Sequence, residues 1–251
     1  GGGFIGLEFA AMARAAGVAV TVIEAAPRLM ARALSQPMSA RFLVLHRAMG
    51  TEVLLDAKAA RVLADGAGRA SGVELADGRR LAGDLVLVAT GVRPNVELAQ
   101  DAGLACANGI LVDTGLATGD PAISALGDVA AFPGPLGEPI RLESVQAAVD
   151  HARHIARRLV KRDAAPYAAV PWFWSDQGKH KLQIAGLNLG YDRVVTRPGA
   201  NGGSVWYFRE GGLIAVDALN DPRAYMIGKR LIEAGRSPAP EAIAEAPDLK
   251  A

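Results

Sequence analysis

The residues best suited to chemistry come first in the chain. Gly1, Gly3 and Gly6 stand at a G-x-G-x-x-G spacing, and Glu24 closes an apolar run beyond them. Glycine at Gly1 permits a tight turn. At Gly3 it lets backbone approach a pyrophosphate, and at Gly6 it lets helix and strand pack closely. The phosphates would rest on the positive end of a helix starting near Gly3. A carboxylate at Glu24 accepts hydrogen bonds from adenosine ribose hydroxyls and repels a 2′-phosphate, which points to NAD over NADP. Arg28 and Arg32 keep the other preference open, because a guanidinium can hold that phosphate. The plain alternatives are a glycine turn without a ligand and an exposed acid at a strand end.

Further along, Gly91 ends Ala89-Thr90-Gly91 and lets a strand turn beside a cofactor. Asp128 follows Gly127 and offers a short carboxylate able to accept a hydroxyl hydrogen bond; a helix N-cap is its alternative. Glu143-Ser144-Val145-Gln146 opens a helix whose free N–H groups can stabilise negative charge, or whose Ser144 simply caps it. Trp172, Phe173 and Trp174 are three consecutive aromatics. Such residues usually form core, and Phe173 is read that way. His46, His151, His154 and His180 do not cluster with Cys or acids, so no metal site is expected. His151 and His154 lie three apart on a helix and are expected on a solvated face. His180, between Lys179 and Lys181, is a candidate for docking an acidic partner. Cys106 is the only cysteine. It forms no intrachain disulfide or Cys-x-x-Cys centre, and it is expected to be a buried small apolar residue.

These residues need elements to hold them. An Ala-rich helix is expected over 4–16 with Gly17 as its stop, then a β-branched strand over 18–23. A helix over 37–49 begins at Pro37. Strands are expected over 51–55, 58–64, 71–76 and 84–89, the last a buried one. Helix and strand after a glycine turn are the context that makes the glycine spacing meaningful. Beyond them come a strand over 109–113, a helix over 144–160 and a linker over 161–170. Short strands over 182–186, 193–196, 204–208 and 213–219 precede a helix over 222–234. The tail after Arg236 is expected to be loose. The chain has 251 residues, 51% hydrophobic and 21% charged, with net charge +1. That balance gives no global field for nucleic acid or an anionic membrane, and no apolar run approaches the ~20 residues of a span. A cytoplasmic location is expected.

The chain resembles the C-terminal part of an FAD-dependent, NADH-linked ferredoxin reductase of bacterial dioxygenase and cytochrome P450 systems. The stretches carrying the resemblance are GGGFIGLE (1–8), VIEAAPRLMAR (22–32), LVLVATGVRPN (85–95), ALGDVA (125–130), ESVQAA (143–148), PWFWSDQ (171–177), KLQIAG (181–186) and LIAVDALNDPRAYMIGKRLI (213–232). PWFWSDQ followed by KLQIAG is the specific part; many two-dinucleotide flavoproteins share the glycine turn. The resemblance implies an α/β, Rossmann-like two-dinucleotide-binding flavoprotein, truncated at its N-terminal FAD segment, plus a C-terminal α+β domain. Its expected parts are an NAD-binding domain over 1–93 lacking a first strand, a returning FAD-domain segment over 94–165 and a C-terminal reductase domain over 166–251.

The resemblance also implies roles. Arg32 packs over the adenine. Glu8 faces nicotinamide and flavin and orients the carboxamide, against the plain reading of a helix-dipole partner. Phe4 and Ile5 lie between the two cofactors. Asp128 binds the ribityl chain, Val145 and Gln146 lie at the flavin's pyrimidine edge, and Glu143 lies near the nicotinamide. Trp174 lies against the isoalloxazine on the ferredoxin side. Hydride transfer needs no side-chain acid or base, so no catalytic residue is assigned with certainty; Glu8 and Trp174 are the candidates. FAD and NADH are the implied cofactors and a [2Fe-2S] ferredoxin the partner, with a monomer or weak dimer expected. Two rivals stand beside this reading. One is a flavin-dependent NAD(P)H reductase of another acceptor, such as rubredoxin or a quinone. The other is a catalytically inert nucleotide-binding or interaction fragment.

Overall fold

A computed structural model describes residues 1–161, 165–199 and 201–245. The chain divides into two compact units, Gly1–Gly91 with Trp174–Leu182, and Val92–Phe173 with Gln183–Ala251.

In the first unit, α1 (Phe4–Ala15) leads into β1 (Thr21–Ile23), α2 (Gln36–Ala48) and β2 (Glu52–Leu54). Strands β1 and β2 pair in parallel with Val22 opposite Val53, and both of those side chains are buried. Leu7, Ala10 and Ala11 of α1 and Met38 and Phe42 of α2 supply the core. None of these is β-branched and they recur at helical spacing, which favours the helices and gives each one buried face. A meander of β3 (Ala59–Ala64), β4 (Ala70–Leu75) and β5 (Arg80–Ala82) follows. Its Asp77-Gly78 turn has Gly78 at φ +87°, as the sequence suggests.

Residues 84–89 are not the buried strand expected of them. They pair with no strand among the described residues, and Leu85 and Val88 are 75% and 70% exposed. An apolar parallel strand is buried only when neighbours cover it on both sides, and among the described residues β1 pairs with β2 alone.

In the second unit, α3 (Glu97–Asp101), β6 (Cys106–Ala107) and β7 (Gly109–Leu111) precede a short 3-10 helix, Gly127–Val129. Then come β8 (Ala130–Pro133), β9 (Pro139–Ile140) and α4 (Val145–Lys161). The sheet order is β6-β7-β8-β9, and Leu116, Ala130, Phe132 and Ile155 form its core. Cys106 is half-buried rather than buried, because β6 is only two residues long and lies at the sheet edge.

The chain continues through β10 (Trp172–Gln177), β11 (His180–Gly186), β12 (Arg193–Gly199), β13 (Gly202–Arg209) and β14 (Gly212–Leu219) to α5 (Pro222–Glu233) and α6 (Pro240–Glu245). The five strands take the order β10-β11-β14-β13-β12. Asp221 caps α5 by accepting the Ala224 N–H at 3.0 Å, with Pro222 at the first helical position. Ile227 and Leu231 of α5 pack with Trp206, Phe208 and Val216 of the sheet. The tail expected to be loose holds α6, whose Ile243 is 5% exposed and joins that core. Residues 246–251 lie outside the described set.

Candidate functional site

The glycine turn separates into two kinds of position. A Cβ on Gly1 would stand 2.2 Å from the Ala89 carbonyl oxygen, and one on Gly6 would stand 2.1 Å from that of Gly1. Packing therefore demands glycine at both. A Cβ on Gly3 would meet nothing within 4 Å. Gly3 is the N-cap of α1, with no side-chain cap and no acid in the first turn. The first intrahelical bond runs from the Leu7 N–H to the Gly3 oxygen at 3.0 Å. The N–H groups of Ile5 and Gly6 thus stand ahead of the helix ladder, at the positive end of α1 beside the open space at Gly3. A pyrophosphate fits that cradle. Ile5 is 67% exposed beside it, while Phe4 is half-buried.

Glu24 follows β1 directly. Its Oε2 accepts the Gly2 N–H at 2.6 Å and its Oε1 the Ala26 N–H at 2.8 Å. The carboxylate is thereby aimed at the glycine turn, and each oxygen keeps a further lone pair for a ribose hydroxyl. Arg28 is not available to a 2′-phosphate. Its guanidinium donates to the Leu34 oxygen, to Ser39 Oγ at 3.0 Å and to the Ala31 oxygen at 2.7 Å. Arg32 is exposed and lies beside Gly91, where a Cβ would stand 3.0 Å from its Nη2. Gly91 itself has φ +104°, a conformation that favours glycine.

Glu8 of α1 has a partner that its sequence neighbours do not suggest. Ser175 Oγ donates to Glu8 Oε1 at 2.5 Å. Gln177 Nε2 donates to Ser175 Oγ at 3.1 Å and lies 3.6 Å from Met30 Sδ. His46 Nε2 stands 2.7 Å from Gln177 Oε1. Ser175, Gln177 and His46 are each fully buried, and burial pushes the His46 pKa down. Trp174, next to Ser175, is 36% exposed, and Phe173 is half-buried rather than core. His180 is 8% exposed and turned inward with Leu182, while Lys181 between them faces out. Strand alternation thus removes His180 as a docking group.

In the second unit the residues around Asp128 gather. The Gly127 N–H donates to His151 Nδ1 at 3.1 Å, and Gly127 has φ +67°. Asp128 is exposed. Leu126, not Asp128, is the N-cap of the 3-10 helix, so capping does not occupy the carboxylate. Arg141 ties Asp128 to Glu143: Nη1 donates to the Asp128 backbone oxygen, and Nη2 to Glu143 Oε1 at 2.7 Å. At the start of α4, Ser144 Oγ accepts the Ala147 N–H at 3.1 Å. The Gln146 side chain is engaged internally, donating to Asp150 and accepting the Trp172 N–H at 3.2 Å. That leaves its backbone N–H, with that of the exposed Val145, as the group at the helix end. The site offers a free carboxylate and a positive helix end, which suits the polyol chain and the electron-rich edge of a flavin.

His151 and His154 are not on a solvated face. They are 0% and 9% exposed. Tyr167, in the expected linker, donates its N–H to the Thr114 oxygen at 2.7 Å and sets its ring in edge contact with both. Its ring centroid is 4.7 Å from that of His151 and 5.7 Å from that of His154. Burial holds the His151 pKa below its ordinary value and pushes the Tyr167 hydroxyl up to about 12. Sequence reading missed Ser175, Gln177, His46, Arg141 and His151. Only Ser175 and Gln177 carried a signal, as members of PWFWSDQ. Among the described residues no group of three or more His, Cys, Asp or Glu is placed to hold a metal. No helix among them is long and apolar enough to cross a membrane.

The pyridine nucleotide-disulphide oxidoreductase family matches residues 1–152, and a reductase C-terminal family matches residues 172–251. The chain is 44% identical over 255 residues to rhodocoxin reductase from Rhodococcus erythropolis, covering all of this chain and 59% of that protein. It is 38% identical over 239 residues to putidaredoxin reductase from Pseudomonas putida, covering 92% of this chain and 56% of that protein. Among solved structures it resembles the ferredoxin reductase for the CYP199A2 system from Rhodopseudomonas palustris. The TM-score there is 0.94 at 46% identity, over 98% of this chain and 61% of that one. A putidaredoxin reductase in covalent complex with putidaredoxin gives 0.93 at 36% identity, over 98% of this chain and 60% of that one. The chain thus spans about three fifths of the length of these relatives.

Proposed function

The chain belongs to the pyridine nucleotide-disulphide oxidoreductase family, and from that premise we propose that it serves an FAD-dependent ferredoxin–NAD(+) reductase of an oxygenase system. Its residues 1–93 form the NAD-binding part, 94–165 the returning FAD part and 166–251 the reductase C-terminal part. When bound, FAD supplies the step from a two-electron hydride donor to a one-electron [2Fe-2S] carrier. The protein's share is binding and alignment.

The observation that carries this reading is the pairing of an open Gly3 cradle with Glu24, whose Oε2 accepts from Gly2 of the glycine turn while Oε1 is held by Ala26. The N–H groups of Ile5 and Gly6 hold the pyrophosphate. Glu24 holds the adenosine ribose and disfavours a 2′-phosphate, and Arg32 covers the adenine. Glu8 orients the carboxamide, and Phe4 and Ile5 lie between the two cofactors. Asp128 accepts from the ribityl hydroxyls. Glu143 and the backbone of Val145 and Gln146 serve the flavin edge, and Trp174 shields the ring on the ferredoxin side. The reading includes a cytoplasmic location and a monomer or weak dimer.

Steady-state reduction tests the acceptor. With FAD supplied, NADH should drive reduction of a [2Fe-2S] ferredoxin at least ten-fold faster than NADPH does, and faster than either donor reduces rubredoxin or a quinone. Preference for rubredoxin or a quinone would replace this reading with the sister one.

A further inference from the structure

The donors in the buried chain from His46 to Glu8 can be ordered from first principles. The Glu8 carboxylate only accepts. The single hydroxyl hydrogen of Ser175 therefore goes to Glu8 Oε1, 2.5 Å away, and Ser175 Oγ must accept from Gln177. Only the amide nitrogen of Gln177 can donate, which turns its Oε1 towards His46. Across the 2.7 Å contact the proton then sits on His46 Nε2. His46 Nδ1 is left bare, buried and without a hydrogen-bond partner. Every donor in the series points towards Glu8. Such an aligned series polarises each bond and stiffens the terminal acceptor.

We propose that Ser175 is the positioning residue of the nicotinamide end of the site, holding the Glu8 carboxylate in one orientation, with Gln177 and the Nε2–H tautomer of His46 holding Ser175. The proposal rests on the NADH reading of Glu8. The chain is not a proton wire, because an amide such as Gln177 does not pass protons on. Its effect is on geometry. Glu8 sits on α1, five residues beyond Gly3, and is only half-buried. Without a partner its long side chain would sample several rotamers at an entropic cost on binding. The proposal gives the Trp174–Gln177 stretch a task besides the aromatic contact of Trp174. It also explains why a stretch so distant in sequence groups with residues 1–91.

Calorimetric titration with two ligands tests the proposal. ADP-ribose shares the pyrophosphate and adenosine of NADH but lacks the nicotinamide. Ser175→Ala should weaken NADH binding about ten-fold, as expected for losing a hydrogen bond to a charged group, and leave ADP-ribose binding unchanged. Ser175→Thr keeps the hydroxyl and should restore the NADH affinity. If Ser175→Ala weakens both ligands equally, or neither, the positioning role is overturned while the NADH reading stands. If the unmodified protein binds neither ligand, both fall. The nitrogen NMR spectrum of His46 supplies a check that needs no variant. A neutral ring protonated at Nε2 is expected at neutral pH, and protonation at Nδ1 overturns the ordering.

Discussion

Gly3 and Gly6 read alike in the sequence and differ in the fold. Gly3 has φ −81° and ψ −179°, a backbone any residue can adopt, and open space where its Cβ would be. Gly3→Ala should leave the melting temperature within about a degree of the parent and weaken NADH binding about ten-fold by intruding on the pyrophosphate. Gly6→Ala puts a Cβ against the Gly1 backbone oxygen at 2.1 Å and should cost ~1–3 kcal/mol of stability. Thermal melts together with NADH titration separate the two effects. Equal losses of stability at both positions would contradict the assignment. At this scale the sequence was legible where chemistry demands a residue type. Gly1 and Gly6 fall where backbone leaves no room for a Cβ, Glu24 is bonded to the glycine turn, and Asp128 is exposed beside Gly127. It was illegible where a role depends on a partner far along the chain. The Glu8–Ser175 bond spans 167 positions, and no local pattern marks it.

The turn at Gly127 depends on α4. Its N–H is buried against His151 Nδ1, which can accept only while the imidazole is neutral. The groups facing that ring are Asp150 and His154 from α4 itself, Tyr167 from the linker and the apolar Phe132 from β8. Burial outweighs the opposing pull of Asp150 and lowers the pKa from 6.5. Protons therefore bind the unfolded chain more tightly. The stability His151 contributes is present above that ordinary value and is lost as the pH falls through the window beneath it. His151→Gln keeps an acceptor for the Gly127 N–H and should flatten this acid-side loss. His151→Leu leaves the N–H buried and unpaired, and should cost ~1–3 kcal/mol at any pH. Denaturant melts from neutral to mildly acidic pH measure both. An acid-side slope unchanged in His151→Gln would exclude the histidine as its source.

Elements, too, were unevenly legible. The long helices α1, α2, α4 and α5 lie within a residue or so of their expected bounds, because composition and capping residues mark them locally. The two histidines of α4 were misplaced because Tyr167, which covers them, comes from a segment with no periodic pattern. The strand expected over 84–89 failed for a related reason. Hydrophobic composition reports a capacity for burial, but a strand forms only where an edge is offered to it.

At the scale of the whole molecule, family membership and the order of the two matched regions account for how the chain is built. Gly3, Glu8, Glu24 and Arg32, proposed to face the nucleotide, belong to the first unit, together with Trp174 and Ser175. Asp128, Glu143, Val145 and Gln146 belong to the second. One experiment joins the two sets. The protein is incubated with FAD and freed of excess, and its visible spectrum is recorded anaerobically before and after NADH. The account predicts a bound flavin band that NADH bleaches, and that returns when an oxidised [2Fe-2S] ferredoxin is added. A folded protein that stays colourless after incubation, or a bound flavin that NADH leaves unchanged, would contradict it.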